Sequence, residues 1–203
     1  MSDFDEKAAT WDDDPSRVER AEEIANKLQA AVNLSKVKTA LEYGSGTGLL
    51  SFCLRNEIDQ ITMLDESIEM TKVAEEKCTQ QGITNLLPLQ MNLLEDPLPD
   101  ERFDLIFVML TLHHVVDVEG LIGIFRLLLN PGGRLAIIDL EKEDGSFHDG
   151  PFHGHNGFEK NHLENMLTET GFSSINYSIC YTIKKETENG QKDFPMFLMT
   201  AEL

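Results

Sequence analysis

Apolar positions recur along this chain in two alternating rhythms. Val18, Ala21, Ile24, Ala25, Leu28 and Val32 fall at helical spacing after Asp14-Pro15. That pair is a capping carboxylate followed by proline at the first helical position. An amphipathic helix is therefore predicted from Pro15 to about Val32. Next comes "VKTALEY", a buried strand, and a helix from Thr47 to about Asn56. "ITMLD" is a short strand ending at Asp65, and Ile68 to about Gln80 is a helix closed by Gly82. "LLPLQM" and "FDLIFVML" read as strands, and Val118 to Leu129 as a helix stopped by "NPGG". "RLAIIDL" is a further strand, and Phe158 to Thr170 a helix ended by Gly171. The tail changes character: "INYSICYTI" and "FPMFLMTAE" are apolar runs around "ETENGQKD", and Asn189-Gly190 is a hairpin signal.

Strands that alternate with helices build a parallel sheet covered on both faces, and a final antiparallel hairpin makes that sheet mixed. The expected fold is α/β: a Rossmann-like, doubly wound, mostly parallel seven-stranded sheet with a C-terminal antiparallel hairpin and an N-terminal helical extension. One domain is expected over residues 1–203, with an N-terminal lid and helix over 1–34 and the core over 35–203.

Charge narrows the partners. Acidic residues outnumber basic ones 36 to 17 in a chain of 203, giving a formal net charge of −19. Such a surface is repelled by nucleic acid and by anionic membranes, so neither is expected, and a neutral or cationic small molecule is. No apolar run approaches 18 residues, and "MSDFDEKAATWDDD" lacks the apolar core of a signal peptide. Cys53, Cys78 and Cys180 are scattered and odd in number, which suits reduced thiols in the cytoplasm.

The chemistry begins at "ALEYGSGTGLLSF", where Gly44, Gly46 and Gly48 alternate after a strand. Ligands of open parallel sheets bind at the carboxyl ends of the strands, near the reversal of strand order. Asp65, ending the second strand, can accept two hydrogen bonds from a ribose diol, so the loop is expected to hold a nucleoside. The dinucleotide fingerprint fails in both registers, because Leu49 and Ser51 stand where glycine or alanine is needed. Glu42, two residues before the first glycine, would repel a pyrophosphate but attract a sulfonium, which points to S-adenosylmethionine.

With these motifs the sequence resembles the class I S-adenosylmethionine-dependent methyltransferases, especially the ubiquinone/menaquinone-biosynthesis type. "LEYGSGTGLLS" is similar to the family's glycine loop and "LDESIEM" to the acidic end of strand two. "FDLIFVMLTLHHV" is similar to the fourth-strand motif, "LLLNPGGRLAIIDL" to the turn into strand five, and "FDEKAATWD" to an N-terminal lid. The resemblance implies that the Gly44–Gly48 loop, Ser45 included, approaches the methionine part, with Glu42 fixing the loop and biasing the field. It implies Asp65 and Glu66 at the ribose, Met70 near the adenine, Asn92 and Leu93 at the adenine edge, Met109 and Leu110 along the methionine end, and Trp11 in the lid.

His113 and His114, just after the fourth strand, are candidates for a general base or for holding substrate. His148, His153, His155 and His162 crowd the segment after strand five. The His153-x-His155 spacing is not a common zinc pattern, so this is read as a substrate-facing loop, with His114, His148, His153 and His155 toward substrate and no metal. The function expected is methyl transfer to a small-molecule acceptor. A nicotinamide-dependent oxidoreductase and a non-catalytic, methyltransferase-like binding or regulatory protein stand as alternatives.

Overall fold

The computed structural model describes residues 3–148, 150, 152–187 and 190–203. The helices are α1 (Asp3–Lys7), α2 (Pro15–Ala31), α3 (Leu49–Leu54), α4 (Ile68–Gln81), α5 (Val118–Leu128) and α6 (Lys160–Glu169). The strands are β1 (Thr39–Tyr43), β2 (Gln60–Asp65), β3 (Leu86–Gln90), β4 (Phe103–Met109), β5 (Leu129–Leu140), β6 (Ser173–Thr187) and β7 (Gly190–Glu202). They form one seven-stranded sheet in the order β3-β2-β1-β4-β5-β7-β6. The first five strands pair in parallel, and β7 runs antiparallel to both β5 and β6. The expected mixed, doubly wound sheet is present.

Side chains of a strand alternate between faces, so a strand covered on both sides reads as an unbroken apolar run. In β4, Leu105 and Phe107 enter one core with Ile24, Leu28, Leu50 and Ala74 of α2, α3 and α4. Ile106 and Val108 enter the other with Leu121, Phe125 and Leu163 of α5 and α6. This two-sided burial fixes the sheet and points the carboxyl ends of β1, β2, β4 and β5 to one edge of the molecule.

Three local expectations are corrected. The helix after the glycine loop starts at Leu49 rather than Thr47, because Gly48 sits in the left-handed region at φ 84° and helical backbone cannot run through it. The stretch before Asp14 is helical: α1 is followed by a 3₁₀ turn over Ala8–Asp13. The tail strands also outrun the apolar segments. Pairing continues through Lys184↔Asp193 and Lys185↔Lys192 to Thr187↔Gly190, so most of "ETENGQKD" is strand. The Asn189 half of the hairpin signal lies outside the described residues.

α2 begins as read. The Asp14 carboxylate accepts from Ser16 N at 3.0 Å, and Pro15 takes the first helical position, where no N–H is needed. Among the described residues no helix is long and apolar enough to cross a membrane.

Candidate active site

Strand order reverses between β1 and β4, and the loop after β1 opens there. Gly44, Gly46 and Gly48 all have positive φ, at 67°, 54° and 84°. Gly44 also has no room for a Cβ, which would stand 2.2 Å from the Thr111 side chain. At Gly46 a Cβ would meet only the Met70 sulfur, at 3.9 Å, leaving the backbone approachable.

Side chains behind and beside the loop hold its shape. Glu42 is 2% exposed, and one of its oxygens accepts from the Ser51 amide at 3.2 Å and from the Ser51 hydroxyl. Burial pushes its carboxyl up from 4.5 to about 8. Glu42 is thus tied to the first turn of α3 rather than to the glycine loop itself, and, mostly protonated, it carries little charge at neutral pH. Asp65 accepts from Gly46 N at 2.7 Å and from Ser67 N at 2.8 Å, one bond to each oxygen. Burial pushes its carboxyl upward too, against those two bonds. Ser45 is locked by main-chain bonds, its N–H to Leu64 O at 3.0 Å and its carbonyl from Gly48 N at 2.8 Å.

The N-terminal segment lies over this loop. Thr47 Oγ1 donates to Asp12 Oδ1 at 2.5 Å, and Lys77 Nζ bonds Asp12 Oδ2 at 2.6 Å and Thr47 O at 2.9 Å. Ser67 Oγ donates to Asp5 Oδ1 at 2.6 Å. Trp11 stacks under the Arg17 guanidinium at 3.9 Å, and Phe4 packs 6.0 Å from Trp11 and 5.3 Å from His114, ring centre to ring centre.

Beyond β4 a second set of side chains gathers. Leu110 takes a left-handed φ of 51°, an uncommon conformation for leucine, and turns the chain into the 3₁₀ turn Leu112–His114. Thr111 Oγ1 reaches back to Gly44 O at 3.2 Å. His113 is 1% exposed, and its Nδ1–H donates to Asp139 Oδ1 at 2.6 Å. Asp139, 0% exposed at the end of β5, also accepts from His113 N and Leu140 N. The segment after β5 docks by its backbone, His155 N donating to His113 O at 2.7 Å. It brings His148 within 5.2 Å of the His113 ring and 5.4 Å of the His114 ring, with Phe152 stacked on His148 at 3.6 Å. Burial, with His113 and His148 beside it, lowers His114 from 6.5 to about 4, so its imidazole is neutral at physiological pH.

Residues 41–137 match a family described as "Methyltransferase domain". A ubiquinone/menaquinone biosynthesis C-methyltransferase of Shewanella piezotolerans is 34% identical over 106 residues, covering 50% of this chain and 42% of that protein. The chain thus spans about half the length of the curated relatives it matches. The fold is similar to a crystal structure of an S-adenosylmethionine-dependent methyltransferase from Clostridium acetobutylicum, with TM-score 0.68, 17% identity and 90% of each chain covered. A further structure, of a SAM-dependent methyltransferase from Aquifex aeolicus, gives TM-score 0.63 and 24% identity over 92% of this chain and 98% of the other. The middle of the chain is thus similar to methyltransferase domains, within a fold that it shares with solved methyltransferases.

The sequence-named residues fall into separate groups in the structure. Glu42, Gly44, Ser45, Gly46, Gly48, Asp65 and Met70 share one wall, built from the ends of β1 and β2 and the start of α4. Asn92 and Glu66 come together, Asn92 Nδ2 donating to Glu66 Oε2 at 3.3 Å. Leu93 is buried in the α5-side core, and Met109 packs half-buried on the opposite one. Of the four histidines after strand five, His148 alone joins His113 and His114. His153 is exposed, His155 packs toward Phe158, and His162 lies exposed on α6.

Sequence reasoning missed Asp139, Thr111, Asp12 and Lys77. The signal for Asp139 was there: a carboxylate inside the buried run "RLAIIDL" has to be partnered.

Proposed function

We propose that this chain is a methyltransferase that moves a methyl group from S-adenosylmethionine to a small-molecule acceptor. The observation that carries the reading is Asp65. It ends β2 beside the strand-order reversal, holds the N–H of the open glycine Gly46, and keeps a free lone pair on each carboxylate oxygen. Those lone pairs suit a ribose diol, and the bare backbone at Gly46 suits a ligand lying against it. Lys77, the cation beside the loop, is committed to Asp12 and Thr47 O, so it does not offer itself to a pyrophosphate.

S-adenosylmethionine supplies a methyl group on a sulfonium that departs as a neutral thioether. The chain is not asked to protonate a leaving group, and its work is positioning and water exclusion. Asp65, with Glu66 and Asn92 beside it, would hold the nucleoside end, and the Gly44–Gly48 loop the amino-acid end. Phe4 and Trp11, carried by the N-terminal segment, would act as a lid over both groups. The net charge of −19 supports a small-molecule acceptor rather than nucleic acid, and the free thiols of Cys53, Cys78 and Cys180 support a cytoplasmic setting.

Calorimetric titration with S-adenosylmethionine, S-adenosylhomocysteine and NADH tests the cofactor. Binding of the first two with NADH silent is expected; binding of NADH alone would overturn the reading. Release of S-adenosylhomocysteine on adding an acceptor then separates an enzyme from a binding protein.

A further inference from the structure

The histidine cluster contains an atom that its packing leaves unexplained. His113 Nε2 is fully buried and has no hydrogen-bond partner. A polar atom left in that state costs about 1–3 kcal/mol. Its ring cannot turn to relieve this, because Nδ1 is held by Asp139 and three N–H groups already occupy that carboxylate. In the tautomer that donates from Nδ1 to this carboxylate, Nε2 is a bare lone pair.

Two more imidazoles converge on it. One ring nitrogen from each of His113, His114 and His148 lies within 4.8 Å of the others. Aromatic packing accounts for the orientation of His148, stacked on Phe152 with 14° between the planes. It does not account for three imidazole nitrogens gathered this closely, with a buried, unpartnered nitrogen on one of the rings. A carboxylate gripping the far nitrogen of a buried histidine is the second-sphere arrangement that fixes tautomer and orientation in metal-ligating histidines. Phe147 and Phe152 wall the cluster, and Phe4 covers His114.

We propose that His113, His114 and His148 bind one divalent transition-metal cation of the Zn²⁺ type through three imidazole nitrogens, with Asp139 as the positioning residue behind His113. An all-nitrogen donor set selects zinc, cobalt, nickel, copper or iron over magnesium and calcium, which prefer oxygen. Metal–nitrogen bonds of about 2.0–2.1 Å put tetrahedral ligand nitrogens roughly 3.3 Å apart, so binding draws the nitrogens together by no more than about 1.5 Å. Three histidines leave a fourth position for water or an acceptor atom. The His153-x-His155 spacing did not suggest this site because its ligands lie 34 residues apart, in two segments that meet only in the fold.

The test uses tag-free protein stripped with a chelator and no methyl donor, so its outcome is independent of the cofactor reading. Titration with Co²⁺ is expected to give visible ligand-field absorption saturating at one equivalent. Zn²⁺ should abolish the band and raise the Tm, and Mg²⁺ should do neither. His114→Ala and His148→Ala should each weaken Co²⁺ binding at least tenfold, and Asp139→Asn by roughly 10–100-fold. His153→Ala, outside the cluster, should leave it unchanged. If an alanine variant fails to melt cooperatively, His148→Gln is read in its place. No visible band, a band that survives both His114→Ala and His148→Ala, or one lost with His153→Ala would overturn the proposal.

Discussion

The two halves of the site are built differently. The half at the ends of β1 and β2 is made of backbone, a glycine loop held by Asp65 at the Gly46 N–H, by Lys77 at the Thr47 carbonyl and by Asp12 at the Thr47 hydroxyl. The half at the ends of β4 and β5 is made of side chains, the packed rings of His113, His114, His148, Phe147 and Phe152, some tilted, some edge to face and Phe152 stacked on His148. A backbone site shows the same chemistry to every ligand of its class. A side-chain site can change with each substitution. That difference suits a shared donor on one side and a particular acceptor on the other.

The comparison can be broken most strongly at Asp65. Each hydrogen bond from a ribose hydroxyl to its carboxylate is worth roughly 1.5–3 kcal/mol. Asp65→Ala is expected to weaken S-adenosylhomocysteine binding by a hundredfold or more in calorimetry; unchanged affinity would displace the ribose from this position.

Glu42 comes next, through pH. Its carboxyl is raised in the fold from 4.5 to about 8, so the stability it contributes is full below pH 4.5 and is lost as pH rises through 8. At about 1.4 kcal/mol per unit, the loss is on the order of 4–5 kcal/mol. Glu42→Gln keeps the acceptor for Ser51 and removes the ionisation. Denaturant titrations from pH 5 to 9 should show the variant gaining on the parent as pH rises, and parallel curves would mean that Glu42 ionises freely.

Gly44→Ala is expected to cost about 2–4 kcal/mol, from the positive φ and the overlap with Thr111. Adding Thr111→Ala should recover part of it, because the overlap goes and the backbone strain stays. Full additivity in the double mutant would deny the contact. The smallest effect belongs to the side-chain half: Phe152→Ala should cost about 1 kcal/mol by losing the His148 stack, and leave S-adenosylhomocysteine affinity untouched. A large drop in that affinity would show that the halves are not separate.

The same contrast explains what could be read from the chain. The glycine half is local: Glu42 to Gly48 is one strand end and one turn, and Asp65 closes the next strand, so period and punctuation sufficed. The histidine half is not. Asp139 lies 26 residues after His113 and His148 lies 35 after it, and only the parallel pairing of β4 with β5, Met109 opposite Ile138, sets those ends side by side. Proximity in sequence misled there, grouping His148 with His153 and His155, which the fold sends elsewhere. The N-terminal turns were hidden for another reason. Residues 3–13 hold few apolar side chains, and their helical form rests on tertiary contacts such as Asp12 with Lys77 rather than on any period of their own.

Those contacts tie the halves together in time. One short segment holds the glycine loop through Asp12 and rests on His114 through Phe4. Whatever enters or leaves either half displaces the same stretch of chain, so the two exchange processes are expected to share one gate. Hydrogen–deuterium exchange gives the reading: amides around Thr47 and around His114 should become labelled with a common opening rate, and Asp12→Asn should speed both alike. Two separate rates would show that the segment peels from one side, admitting the two ligands in a fixed order.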